Sequence, residues 1–190
     1  MVRAFIAAEI SREARDALEA VVDGLKGQGV SGVRWVRPGG VHLTLKFLGE
    51  IDEDLVQVIL DAMERVCHGT GPFTLNLANV GSFPNTNAPR VIWVGPGGEL
   101  GPLGDLQQRI DQELHSRLGF PLETRPFTPH LTLGRLHDRT TVQDRQRFGQ
   151  ALAGEGLVAR VSWQVAELQL IRSTLTPDGA VYHVLGTSHL

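Results

Sequence analysis

The feature that most constrains this chain is that it writes one short phrase twice. His42-Leu43-Thr44-Leu45 returns 88 residues later as His130-Leu131-Thr132-Leu133 in a chain of 190 residues. The approaches match as well, Arg34-Trp35-Val36-Arg37-Pro38 before one copy and Arg125-Pro126-Phe127-Thr128-Pro129 before the other. Branched and aromatic residues bounded by Pro and Gly predict a strand for each copy. Strand side chains alternate faces, so His42 and Thr44 share one face and Leu43 and Leu45 the other. The same parity holds for His130 and Thr132. Each copy thus offers an imidazole and a hydroxyl to a cleft, and two leucines to a core.

The rest of the chain predicts a scaffold around these strands. A first strand over residues 2–8 leads to Ser11, a helix N-cap, and to Ala14, Leu18, Val21, Val22 and Leu25 at helical spacing, with Gly24, Gly27 and Gly29 closing the helix. Val33–Val36 is extended, and Pro38-Gly39-Gly40 turns it into the first His strand, Val41–Leu48. A second helix presents Leu55, Val58, Ile59, Ala62 and Val66, and extended segments follow at Phe73–Val80 and Arg90–Val94. Pro96–Pro102 reads as a hinge before a helix carrying Leu103, Leu106, Ile110, Leu114 and Leu118, stopped by Gly119 and Pro121.

Beyond the second His strand, Thr140 or Thr141 caps a weak helix through Phe148 to Leu152, broken by Gly154-Glu155-Gly156. Strands at Val158–Trp163, Val165–Ile171 and Val181–Leu185 finish the chain, the last two joined by a turn at Thr176-Pro177-Asp178-Gly179. The halves rhyme, with Arg90–Val94 set against Ala180–Val184. The expected fold is α+β and bilobal: two antiparallel-sheet lobes with flanking helices, related by a pseudo-twofold, with the active-site cleft between them. Residues 1–190 form a single domain of two intertwined lobes in this reading, with no linker long enough to part them.

A neutral imidazole facing an imidazolium can take a proton from water while giving one to a leaving oxygen, which suits in-line displacement at phosphorus. The two threonine hydroxyls can donate to phosphoryl oxygens as charge develops. Cations for a phosphate are few. Lys46 shares the His42 parity and can reach either the cleft or solvent. Arg135 has the wrong parity unless Gly134 marks a bulge that turns it inward; a surface ion pair is its other fate. Arg90 follows a Pro-rich loop and is a further candidate. Phe47, Phe83, Trp35 and Phe127 can stack on a base or pack in the core.

A net charge of −3 gives no global pull on long nucleic acid, so an anionic substrate must be met by local cations. One cysteine, Cys67, allows no internal disulfide and fits a buried thiol in a reducing compartment. The N-terminal apolar run is short and broken by Glu9, and no stretch of about 18 apolar residues occurs, so the cytoplasm is the expected location and no membrane contact is foreseen. His68, His115, His137, His183 and His189 share no metal-ligand spacing.

The paired His-x-Thr-x motifs resemble the signature of the 2H phosphoesterase superfamily. Phe5-Ile6-Ala7, Arg34-Trp35-Val36, Leu45–Gly49, Arg90–Gly95 and Arg125–His130 narrow the likeness to the RNA 2′,3′-cyclic phosphodiesterases, also called 2′-5′ RNA ligases. The resemblance implies metal-independent opening of a 2′,3′-cyclic phosphate to a 2′-phosphate with no cofactor, acting on RNA ends or nucleotides, and reversible joining of tRNA halves through a 2′-5′ bond. By motif, His42 is the implied proton donor and His130 the acceptor, Thr44 and Thr132 hold the phosphate, and Arg135 assists. A monomer is expected. Two other classes compete: a nucleotide-binding module that keeps the pocket without turnover, and a metal-dependent hydrolase, for which two histidines without a carboxylate or cysteine motif are a poor ligand set.

Overall fold

The computed structural model describes residues 1–28, 32–152, 158–177 and 179–190, so Gly29, the Gly154–Gly156 break and Asp178 of the last turn lie outside the described residues. In chain order the elements are strand β1 (Val2–Ala8), helix α1 (Arg12–Gly27), β2 (Val33–Trp35), a 3-10 turn (Pro38–Gly40), β3 (Leu43–Ile51), α2 (Leu55–Cys67), β4 (Phe73–Phe83) and β5 (Val91–Gly98). Then come α3 (Leu100–Leu118), β6 (Leu131–Leu136), α4 (Val142–Leu152), β7 (Ser162–Val165), β8 (Glu167–Thr176) and β9 (Gly179–His189).

Local chemistry accounts for the helices. The Ser11 hydroxyl accepts from the Ala14 amide at 3.2 Å, and Ala14, Leu18, Val21, Val22 and Leu25 are all buried. Gly24 does not end α1, which continues to Gly27. Thr141 caps α4, accepting from the Asp144 amide at 3.1 Å and donating to the Asp144 carboxylate at 2.7 Å. Gly119 stops α3 in the left-handed region, φ +70°, where its missing Cβ matters. The foreseen hinge at Pro96–Pro102 is instead divided between β5 and the first turn of α3, where a proline is tolerated. On α2 the buried face is Ile59, Ala62, Met63, Val66 and Cys67, while Val58 is exposed. Burial pushes the Cys67 thiol up to about 11. None of the described helices is long and apolar enough to cross a membrane.

The strands run in the order β7-β4-β5-β6-β3-β1-β8-β9, with β2 paired to β6, and every pairing is antiparallel. A pseudo-twofold between β6 and β3 relates β5 to β1 and β4 to β8. The repeated unit is therefore β1-α1-β3-α2-β4, then β5-α3-β6-α4-β8, and the last strand of each unit pairs with the first strand of the other. Arg90–Val94 thus corresponds to β1 and not to Ala180–Val184, because β5 neighbours its own His strand while β9 lies at the sheet edge. The two His strands touch at one registered pair, Leu43 opposite Leu131.

Leu43, Leu45, Leu131 and Leu133 join the buried residues of all four helices in one core cluster, which occupies one face of the sheet. A small second cluster, Phe5, Ala7 and Ile171 with Tyr182 packed on it, sits apart from that core.

Candidate active site

Extending the Leu43–Leu131 register by one residue in each direction sets His42 opposite Thr132 and Thr44 opposite His130. The leucines are fully buried, so the four polar residues face away from the core. All four are half-buried, and neither threonine hydroxyl is engaged by another of the described residues.

Each imidazole is anchored alike. His42 Nδ1 lies 3.0 Å from the Gly40 carbonyl oxygen and His130 Nδ1 lies 2.8 Å from that of Thr128, in both cases two residues back. A carbonyl only accepts, so Nδ1 carries the proton and donates, leaving Nε2 of each ring as the nitrogen free for chemistry. Gly40 serves this arrangement by lacking a side chain, since a Cβ there would sit 3.1 Å from the Tyr182 ring and 3.2 Å from Val36.

The walls differ. His42 meets Phe5 edge-on at 5.4 Å and Tyr182 at 4.7 Å between ring centroids, while His130 meets Phe83 at 5.0 Å with planes at 90°. Burial between these rings pushes His42 down to about 4; the Gly40 hydrogen bond opposes this and the Arg15 charge adds to it. Arg15 also donates to the Val41 carbonyl at 3.2 Å, tying α1 to the residue before His42.

Lys46 requires a correction. It does not reach the cleft: it is buried, ion-paired with Asp111 of α3, and donates to the Pro121 carbonyl at 2.6 Å. The cause is a bulge. Ala7 pairs with Thr44 but Ile6 with Lys46, so Leu45 is an extra residue and the parity reverses after it. Lys46 consequently shares the face of Ile6, a member of the main core. Asp111 also accepts from the Glu123 amide at 3.0 Å, so this pair ties β3 to the segment that approaches His130.

A second bulge acts in the opposite sense on β6. Ile92 pairs with Gly134 and Trp93 with Thr132, leaving Leu133 extra. Beyond it Arg135 is exposed and Leu136 buried, the reverse of regular alternation from Leu131. Gly134 is required here by close approach: a Cβ would fall 2.9 Å from Val33 and 3.0 Å from the Trp35 ring. Arg90 is exposed beside this region and its side chain has no partner among the described residues.

Of the aromatic candidates, Phe83 walls His130 and Phe47 is 70% exposed beside Phe5, at 5.9 Å between centroids. Trp35 and Phe127 pack against the core. Phe5 and Tyr182 carried no sequence signal for the site, because only the pairing of β1 with β3 and the return of β9 bring them to His42. Among the described residues no three His, Cys, Asp or Glu side chains come together as a metal site.

Comparison with known proteins accords with this geometry. The family model described as LigT like Phosphoesterase matches twice, over residues 9–93 and 94–182, once for each half of the chain. An RNA 2′,3′-cyclic phosphodiesterase of Methanothermobacter thermautotrophicus is 33% identical over 181 residues, 95% of each chain. A protein of the same name from Methanocaldococcus jannaschii is 32% identical over 96% of this chain and 98% of its own. The crystal structure of a Thermus thermophilus protein superposes with a TM-score of 0.76 at 32% identity, covering 99% of this chain and 97% of the other.

Proposed function

Since the chain belongs to the LigT-like family of 2H phosphoesterases, we propose that it is a metal-independent RNA 2′,3′-cyclic phosphodiesterase, working by acid and base catalysis from His42 and His130. The observation that carries this is the Leu43–Leu131 register, which gathers both imidazoles and both threonines on one face with each Nε2 unengaged.

The reaction is an in-line displacement. His130 Nε2 takes a proton from water, the water oxygen bonds to phosphorus, and the bond from phosphorus to the 3′ oxygen breaks. His42 Nε2 delivers a proton to that departing oxygen, leaving a 2′-phosphate and a 3′-hydroxyl. Thr44, Thr132 and Arg135 donate to the non-bridging oxygens as negative charge grows on them. A 5′-hydroxyl in place of water makes a 2′-5′ link by the same steps, the route by which tRNA halves would be joined.

His42 is neutral near pH 7 in the free protein, since burial holds it down to about 4. To serve as donor it must gain its proton when the anionic phosphate arrives beside it, an opposite charge favouring the imidazolium. The same observation favours a second assignment, with His42 as base and His130 as acid. Turnover of a short RNA ending in a 2′,3′-cyclic phosphate, by chelator-treated protein, tests the reaction. His42→Ala and His130→Ala are each expected to lose about 10² to 10⁴ in rate; substantial activity in either would sink the mechanism.

A further inference from the structure

Arg34 of β2 and Arg135 of β6 are registered directly opposite each other across an antiparallel pair. Both are exposed, and neither is ion-paired with a carboxylate among the described residues. Like charges in this position destabilise a sheet, so the arrangement is unfavourable unless an anion lies between them.

The face they occupy follows from register. Val91 pairs with Arg135 and Trp93 with Thr132, and Val91 and Trp93 lie two residues apart on β5, hence on one side of it. Arg135 and Arg34 therefore share the face of Thr132 and, through it, of His42 and His130. Their Cα atoms stand about 7–10 Å farther along β6 than Thr132, so an Arg135 guanidinium directed back towards Thr132 serves the reacting phosphate, and Arg34 on the facing strand is left to meet the next phosphate along the nucleotide chain. With a net charge of −3 elsewhere diffuse, such a local pair is what a phosphate would find. Guanidinium forks match phosphate oxygens in geometry as well as charge.

We infer that Arg34, set against Arg135, forms a second anion seat that holds the phosphodiester adjoining the cyclic phosphate. The substrate is accordingly an oligonucleotide end rather than a free mononucleotide. This rests on the reaction proposed above, and it assigns Arg34 to recognition of chain length, with no part in proton transfer.

The test compares kcat/KM for a nucleoside 2′,3′-cyclic phosphate with that for a dinucleotide ending in the same cyclic phosphate. Wild-type protein is expected to favour the dinucleotide roughly tenfold, the scale of one charged contact. Arg34→Gln should abolish that preference and shallow the salt dependence for the dinucleotide by about 0.7 in log–log slope, one phosphate contact fewer on a single strand. Arg12→Gln, an equal charge change on the exposed side of α1, should retain both. Equal use of the two substrates by wild-type protein, or an undiminished preference in Arg34→Gln, would overturn the seat while leaving the reaction standing. Turnover of neither would instead remove the reaction. The seat would then be judged by titrating a dinucleotide with a terminal 2′-phosphate: weaker binding to Arg34→Gln supports it and equal binding overturns it.

Discussion

Leu43 lies opposite Leu131, the single registered pair between the two His strands. Both side chains are fully buried, so the contact that seals the core also fixes His42 against Thr132 and Thr44 against His130. Leu131→Ala is expected to cost about 2–5 kcal/mol of stability. Leu103→Ala, equally buried but on α3, should cost a similar amount. In protein still folded at low temperature, only the Leu131 variant should lose turnover by more than about tenfold. Urea melts beside initial rates check this, and equal rates in the two variants would show that the seam does not set the site.

Lys46 and Arg135 should separate cleanly. Removing the Lys46 ammonium leaves Asp111 buried without its partner, so Lys46→Ala is expected to lose about 3–5 kcal/mol. Arg135→Ala, at an exposed position, should leave Tm within a degree or two while lowering kcat/KM by roughly 10². Thermal melts paired with steady-state rates decide it; a stable Lys46→Ala variant with lost activity would return the lysine to the cleft.

Acid should expose His42. Its folded pKa, about 4, lies below the ordinary 6.5, so the unfolded chain binds the proton first. Stability from this group is fully present above pH 6.5 and is lost as pH falls from there towards 4. The urea midpoint of wild-type protein should drop across that window more steeply than that of His42→Gln. Parallel curves would mean that the imidazole is not desolvated as the Phe5 and Tyr182 contacts indicate.

The leaving group distinguishes the two proton assignments. In a nucleoside cyclic phosphate with sulfur at the 3′ bridging position, the phosphorus–sulfur bond breaks to release a thiolate that needs no proton. If His42 is the donor, His42→Ala should recover most of its lost rate on this substrate and His130→Ala should not. Recovery in His130→Ala alone would establish the reverse assignment.

Much of this site was legible because a period of two is visible within each short repeat. His42, Thr44, His130 and Thr132 needed only strand parity and the repeat, and Ser11, Thr141 and Gly119 marked helix ends through side chains whose chemistry is local. What failed was parity across a bulge. The extra residue Leu45 reversed Lys46 with no glycine to announce it, whereas Gly134 did announce the irregularity that exposes Arg135. Phe83 was among the aromatic candidates, but its place against His130 was not legible, and Tyr182 was out of reach altogether, since strands distant in sequence deliver both and no local pattern encodes that pairing.

The most direct measurement of the central claim is the product formed in ¹⁸O-labelled water from a short RNA ending in a 2′,3′-cyclic phosphate, with chelator present. The expected product is a 2′-phosphate carrying one labelled oxygen and a free 3′-hydroxyl, formed at a rate unaffected by the chelator. A 3′-phosphate, or no product from folded protein, would contradict it.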